Sequence, residues 1–247
     1  MRHTFTLTLL LALLPLAPRA QQSDDTAARI VDRYVALLGA ERLPQDSMLT
    51  MVTTITMTGS ADTFIMKRWH VPPLMMRVEV WLKDTLQTGL CTNGKDRYRI
   101  YSPQKGYWED RADYRFYEEM DGYDFRGPLH NWRSKGLTLH YKGITRAKDS
   151  HELQTVTVEG PKMFTRHYMF EASGLLAVII ETDEIDTTEY RSDGQPHTEW
   201  KIMHEYMPVG PGSLLPKVES FMRDGTLTVM QTEAWLEPKQ TLLFNKD

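Results

Sequence analysis

Over most of its length, this chain alternates apolar and polar side chains with a period of two residues. The alternation is clearest after Pro44, where Leu49, Met51, Ile55 and Met57 fall on one side of an extended segment. Strand side chains point alternately to the two faces of a sheet, and β-branched residues suit its pleat. Similar segments recur every 8–12 residues or so, separated by turn residues, which is typical of antiparallel sheets. The sequence therefore predicts a mainly β (α+β) fold with a curved antiparallel sheet of about 11 strands.

Two segments depart from this alternation. Residues 24–38 carry apolar side chains at helical spacing, with Ser23 or Asp24 as the N-terminal cap and Gly39 as the end. Residues 111–120 are interpreted as a second helix inside an aromatic stretch, 107–135. Because a large sheet must cover its apolar face, we expect both helices to lie on the concave face of the sheet.

The N-terminus has the pattern of a secretory signal peptide. A short positive start precedes an almost continuously apolar run over residues 4–16, and the small residue Ala20 follows. The alternative is an N-terminal membrane anchor, but the run is shorter than the roughly 20 residues that span a bilayer. The sequence predicts a cleaved signal peptide, residues 1–20, followed by a single exported domain, residues 21–247.

Composition argues against several classes of function. The net charge of −4 gives no reason to bind nucleic acid, and the one cysteine excludes an internal disulfide framework. His204 and Glu205 lack the second histidine of a zinc-protease motif, and residues 102–105 match Ser-x-x-Lys only within a turn containing Pro103. We therefore expect no catalytic residue, no metal site, no cofactor and no enzymatic activity.

Methionine is unusually frequent, with 14 in the chain, and many fall on predicted strands. Its flexible side chain suits either ordinary core filling or an adaptable apolar cavity, and both interpretations stay open. A cavity lining follows from choosing the more apolar face of each early strand and the apolar side of the second helix. A register error of one residue would turn the strand residues outward. The predicted lipid-binding residues are Leu49, Met51, Ile55, Met57, Phe64, Met66, Met76, Val78, Val80, Phe116 and Met120.

Several motifs together point to a known family. The helix AARIVDRYVALLG at 27–39, the hairpin from Asn93 to the segment SPQKGYW at 102–108, and the segment GPLHNWRSKG at 127–136 carry the resemblance. The chain resembles the outer-membrane lipoprotein carrier and sorting superfamily (LolA/LolB-like). Within it, the chain looks most similar to periplasmic outer membrane lipoprotein-sorting proteins of the Bacteroidota type.

The resemblance implies an incomplete β-barrel whose open side is plugged by helices, with an apolar cavity that shields acyl chains crossing the periplasm. It implies no covalent catalysis. The leading hypothesis is thus a monomeric periplasmic carrier whose ligand is an acylated lipoprotein or related lipid, with transport partners at the inner and outer membranes. Two alternatives stay open: an exported adaptor with a fully packed sheet, and a hydrolase with an unrecognised site.

A carrier needs a cover that opens. Phe116 and Met120 lie one helical turn apart and could pack together against the sheet, while Gly122 and Gly127 could act as hinges. We therefore expect residues 107–135 to form the moving cover.

Overall fold

The computed structural model describes residues 24–72, 75–94, 98–110, 123–146, 151–160, 163–182, 198–223, 225–240 and 244. The predicted signal peptide, the predicted helix at 111–120 and the lining residues Phe116 and Met120 lie outside the described residues. Among the described residues, no helix is long and apolar enough to cross a membrane.

The N-terminal helix, α1, spans Asp25–Leu38. The Asp24 carboxylate accepts hydrogen bonds from the amides of Thr26 at 2.7 Å and Ala27 at 3.4 Å, which satisfies two free amides of the first turn. Gly39 ends the helix with a φ of 58°, a left-handed conformation that costs glycine little. Both predicted boundaries are confirmed. The side chains that α1 buries are Ala27, Val31, Tyr34 and Leu38.

The described strands form one curved, open antiparallel sheet. Its spatial order is β6-β5-β4-β3-β2-β1-β13-β12-β11-β10-β9-β8-β7, so nearly every strand pairs with its neighbour in sequence and the long pairing is β1 with β13. The strands are β1 Ser47–Met57, β2 Thr63–Val71, β3 Met75–Leu82, β4 Thr85–Thr92, β5 Tyr98–Ser102, β6 Tyr107–Asp110, β7 Thr138–Arg146, β8 Glu152–Gly160, β9 Met163–Phe170, β10 Leu176–Thr182, β11 Thr198–Val209, β12 Ser213–Arg223 and β13 Thr226–Pro238.

The prediction of about 11 strands is wrong, since the described residues contain thirteen. One strand that the alternation missed is β6, which has only four residues and is too short to show a period of two. The turn at 102–106 does not end the sheet but joins β5 to β6, with the Gly106 amide donating to the Ser102 carbonyl at 2.8 Å.

The prediction of a second helical segment is not matched in the described part of the 107–135 stretch. Residues 123–136, called the turn segment below, are helical only at Tyr123 and form successive turns from Phe125 onward. Gly127, Asn131 and Gly136 all have positive φ, which interrupts a right-handed helix, and Pro128 lacks an amide hydrogen. The turn segment nevertheless packs inside the fold, because Leu129 and Trp132 join α1 and strands β7–β11 in the largest apolar cluster.

Candidate functional site

The strand register brings the nine predicted lining residues of β1, β2 and β3 onto one face of the sheet. Met51 lies opposite Arg68 of β2, and Arg68 lies opposite Val78 of β3. Ile55 likewise pairs with Phe64, so every predicted residue has the same phase. We call this set the apolar strip: Leu49, Met51, Ile55, Met57, Phe64, Met66, Met76, Val78 and Val80.

The apolar strip is buried at one end and partly open at the other. Met51 is 1% exposed, and Leu49 and Val78 are similarly inaccessible. Ile55, Met57, Phe64 and Val80 are only partly buried. Apolar area that still contacts solvent on the inside of a curved sheet is area that a ligand could cover.

The turn segment lies against the strip, which defines the inner face of the sheet. Phe125 packs with the cluster that contains Leu49 and Met51, while Tyr123 packs with the cluster that contains Met66 and Val78. The apolar strip therefore faces the turn segment.

The segment GPLHNWRSKG at 127–136 holds the turn segment to α1. Trp132 Nε1 donates to Asp32 Oδ1 at 2.9 Å, and the Arg133 guanidinium donates two hydrogen bonds of 2.9 and 2.8 Å to the same carboxylate. Arg133 also stacks over the Trp132 ring at 4.1 Å. The hydrogen bonds from Arg133 hold the pKa of Asp32 below its usual value despite partial burial. These contacts join α1 to a segment 100 residues away.

This anchor bears on the predicted moving cover. Residues 107–110 form the strand β6, and the turn segment is tied to α1 and buried at Leu129. Movement of these two parts stays a prediction, and the predicted hinge Gly122 lies outside the described residues. For Phe116 and Met120, both lipid binding and movement stay predictions.

Three polar side chains interrupt the apolar strip on β1 and β2: Thr53, Arg68 and His70. None of them is among the residues predicted from the sequence. Arg68 and His70 share the phase of Phe64 and Met66 on β2, so the period-two pattern contained the signal. Arg68 Nη2 donates to Thr53 Oγ1 at 3.2 Å, and Thr53 also hydrogen bonds to Thr232 Oγ1 at 2.9 Å. A cation is thus fixed among the residues of the apolar strip.

His70 is neutral at physiological pH. Burial, followed by the charge of Arg68, lowers its pKa to about 3. The His70 ring meets the Phe125 ring edge to face, with centroids 5.0 Å apart. The nearby Asp124 is paired with Arg126, whose Nε and Nη2 donate to Oδ2 of Asp124 at 2.9 and 2.5 Å. Within the described residues, no group of three histidine, cysteine or acidic side chains is placed to hold a metal ion.

No protein-family model matches the chain, and no curated protein matches its sequence. Solved structures do match over most of its length. The chain is similar to a LolA superfamily protein from Nitrosomonas europaea, with 12% identity and a TM-score of 0.57 over 90% of this chain and 98% of that one.

Two further structures agree with this match. A DUF1329 family protein from Desulfovibrio piger has 12% identity and a TM-score of 0.55, again over 90% of this chain and 98% of that one. A domain named for outer membrane lipoprotein sorting, from Vibrio parahaemolyticus, has 10% identity and a TM-score of 0.50 over 85% of this chain and 94% of that one. The chain therefore shares the fold of these structures, as its resemblance to the LolA-like superfamily implies.

Proposed function

We propose that this protein is a carrier that shelters the acyl chains of a lipoprotein or related lipid against the apolar strip. The observation that carries the proposal is the graded burial of the strip, from fully buried Met51 to partly open Ile55 and Phe64. Covering an exposed methylene is worth about 0.8 kcal/mol, so an acyl chain lying over the open end gains free energy with each carbon.

The proposal includes a cellular setting. After loss of the signal peptide at 1–20, the domain at 21–247 would work in the periplasm as a monomer, receiving its ligand at the inner membrane and releasing it towards the outer membrane. The LolA-like fold and the similarity to a domain named for lipoprotein sorting support this setting. The carrier would need no catalytic group and no cofactor, because shielding a chain breaks no bond.

A second candidate is a non-catalytic adaptor with a fully packed sheet. That function requires the inner face to be filled by the protein's own side chains. The partial exposure of Ile55, Met57, Phe64 and Val80 favours the carrier instead.

The direct test is mass spectrometry of lipids that copurify with the protein under non-denaturing conditions. We expect acylated molecules at close to one ligand per chain. A lipid-free preparation that also fails to take up lipid from vesicles would contradict the carrier function.

Two neighbouring residues of β2 provide a matched pair of variants. Phe64 belongs to the apolar strip, whereas Ile65 points to the opposite face of the sheet, and both are partly buried. We expect Phe64→Asp to remove most of the bound lipid and Ile65→Asp to retain it, with similar melting temperatures. Equal lipid loss in both variants would reject the assignment of the inner face as the binding surface.

A further inference from the structure

Arg68 is a cation set into the apolar strip. Its cross-strand neighbours are Met51, whose thioether sulfur is only a weak acceptor, and Val78, whose side chain has no acceptor. Thr53 fixes the guanidinium through Nη2, but Nε is shielded from solvent and has no acceptor among the described residues. A buried donor without a partner is costly, which makes this position notable.

The carboxylates near Arg68 are already paired with other cations. Glu219 acts on Arg68 electrostatically, but its carboxylate binds Lys201 at 2.5 Å. Asp124 faces the same region and is held by Arg126. In the described part of the chain, the site therefore keeps about one unmatched positive charge, at Arg68.

His70 supplies a second nitrogen near the charge of Arg68 that can bind a ligand. It is two residues from Arg68 on the same face of β2, about 7 Å away along the strand. The side chain is 5% exposed, and its Nε2 has no hydrogen-bond partner among the described residues. A neutral imidazole can donate to or accept from a ligand oxygen.

We propose that Arg68 and His70 form a binding site for the acidic head group of an acyl ligand, a carboxylate or phosphate attached to the chain. The head group would accept from Arg68 Nε and contact His70 Nε2, while the chain would run over Met66 and Phe64 towards the open end of the apolar strip. This inference rests on the proposed function and narrows the ligand to acidic lipids.

The test is competition against Nile red, an uncharged fluorescent probe, bound to the purified and delipidated protein. The competitors are dodecanoate, dodecyl phosphate, dodecanol and acetate. Because hydrogen bonds to charged groups are stronger than neutral ones, we expect both acids to displace the probe at concentrations at least about tenfold below that of dodecanol. Acetate, which has the head group without the chain, should not displace it.

Arg68→Met and Lys67→Met remove the same charge from opposite faces of β2. Lys67 lies 5.5 Å from the Trp81 ring centroid, away from the apolar strip. We expect Arg68→Met to weaken dodecanoate binding about tenfold and to leave dodecanol binding unchanged or tighter. Lys67→Met should bind both ligands as the unmodified protein does. If Arg68→Met fails to fold, Arg68→Gln and the acid-to-alcohol ratio of the unmodified protein decide the question.

The outcomes separate the two proposals. Equal binding of dodecanoate and dodecanol by the unmodified protein, or equal weakening of both by Arg68→Met, would overturn the head-group site and leave the carrier function standing. Displacement by acetate would show a free-anion site instead of a lipid site. Failure of all three chain-bearing competitors to displace Nile red would overturn both proposals.

Discussion

Replacing Asp32 with alanine measures how strongly the turn segment is held to α1. The carboxylate accepts one hydrogen bond from Trp132 and two from Arg133. The two donors differ in environment, because the Trp132 ring is buried whereas the Arg133 side chain is 63% exposed. An exposed ion pair contributes about 0–1 kcal/mol, but a buried indole N–H without an acceptor costs about 1–3 kcal/mol.

These values predict different costs for variants at the two residues. We expect Asp32→Ala to lower the free energy of unfolding by about 2 kcal/mol, after about 0.5 kcal/mol is regained from the higher helix propensity of alanine. Arg133→Ala should cost less than about 1 kcal/mol. Asp32→Asn is the matched control: it keeps an acceptor for Trp132 and loses only the charge, so its cost should be similar to that of Arg133→Ala.

Urea denaturation followed by circular dichroism at neutral pH measures all three variants. If Arg133→Ala lowers the free energy of unfolding as much as Asp32→Ala does, the exposed ion pair provides most of the stabilisation. The reasoning from the burial of Trp132 would then be wrong. If Asp32→Ala costs less than about 0.5 kcal/mol, the indole N–H finds another acceptor and is not left unsatisfied.

The same contact has a defined pH dependence. Hydrogen bonds from Arg133 lower the pKa of Asp32 in the folded protein below its ordinary value of 3.8. The stabilisation is therefore complete above that value and is lost as the pH falls through the lower pKa of the folded state. The difference in stability between the unmodified protein and Asp32→Ala should accordingly shrink in strongly acidic solution.

Two further predictions concern the turn after α1 and the buried histidine. Gly39→Ala should lower the free energy of unfolding by about 2–3 kcal/mol, because Gly39 has a positive φ and the added Cβ would come within 2.7 Å of the Gly212 carbonyl oxygen. Gly225→Ala is the control: its φ is also positive but the space around it is open, so it should lower the free energy of unfolding by only about 1 kcal/mol. Thermal denaturation measures both variants. The pKa of His70 is lowered from 6.5 to about 3, so its neutral form stabilises the fold above pH 6.5 and this contribution falls by up to about 1.4 kcal/mol per pH unit below it. His70→Phe should flatten the decline in melting temperature between pH 6.5 and 4, and an unchanged decline would contradict that role.

Much of this fold was predictable because its signals are local. The capping carboxylate of Asp24 and the left-handed conformation of Gly39 set the ends of α1 within a few residues of sequence. The phase of β1 to β3 followed from alternation, since a strand has only two faces and the apolar one was evident. The register then placed the nine residues of the apolar strip on a common face without any information from distant residues.

The rest depended on contacts that no local pattern reveals. No local pattern fixed the path of the turn segment, in which Gly127 and Asn131 take positive φ values that a right-handed helix does not hold. Its position is set by Asp32, 100 residues away in sequence from Trp132. The role of Arg68 was missed for a similar reason: alternation shows that it shares a face with Met66, but only the structure shows that Nε has no acceptor there.

Affinity and selectivity would have separate origins in the proposed site. An apolar strip alone holds any acyl chain in proportion to the area covered, so it cannot distinguish an acid from an alcohol. A partly buried cation whose shielded Nε–H is unsatisfied changes this, because a neutral head group leaves the charge of Arg68 unmatched while an acidic one matches it. Phe64→Asp should therefore weaken all acyl ligands together, whereas Arg68→Met should remove only the preference for acids. A variant of the strip that lost acids but kept alcohols would show that the two contributions cannot be assigned to separate residues.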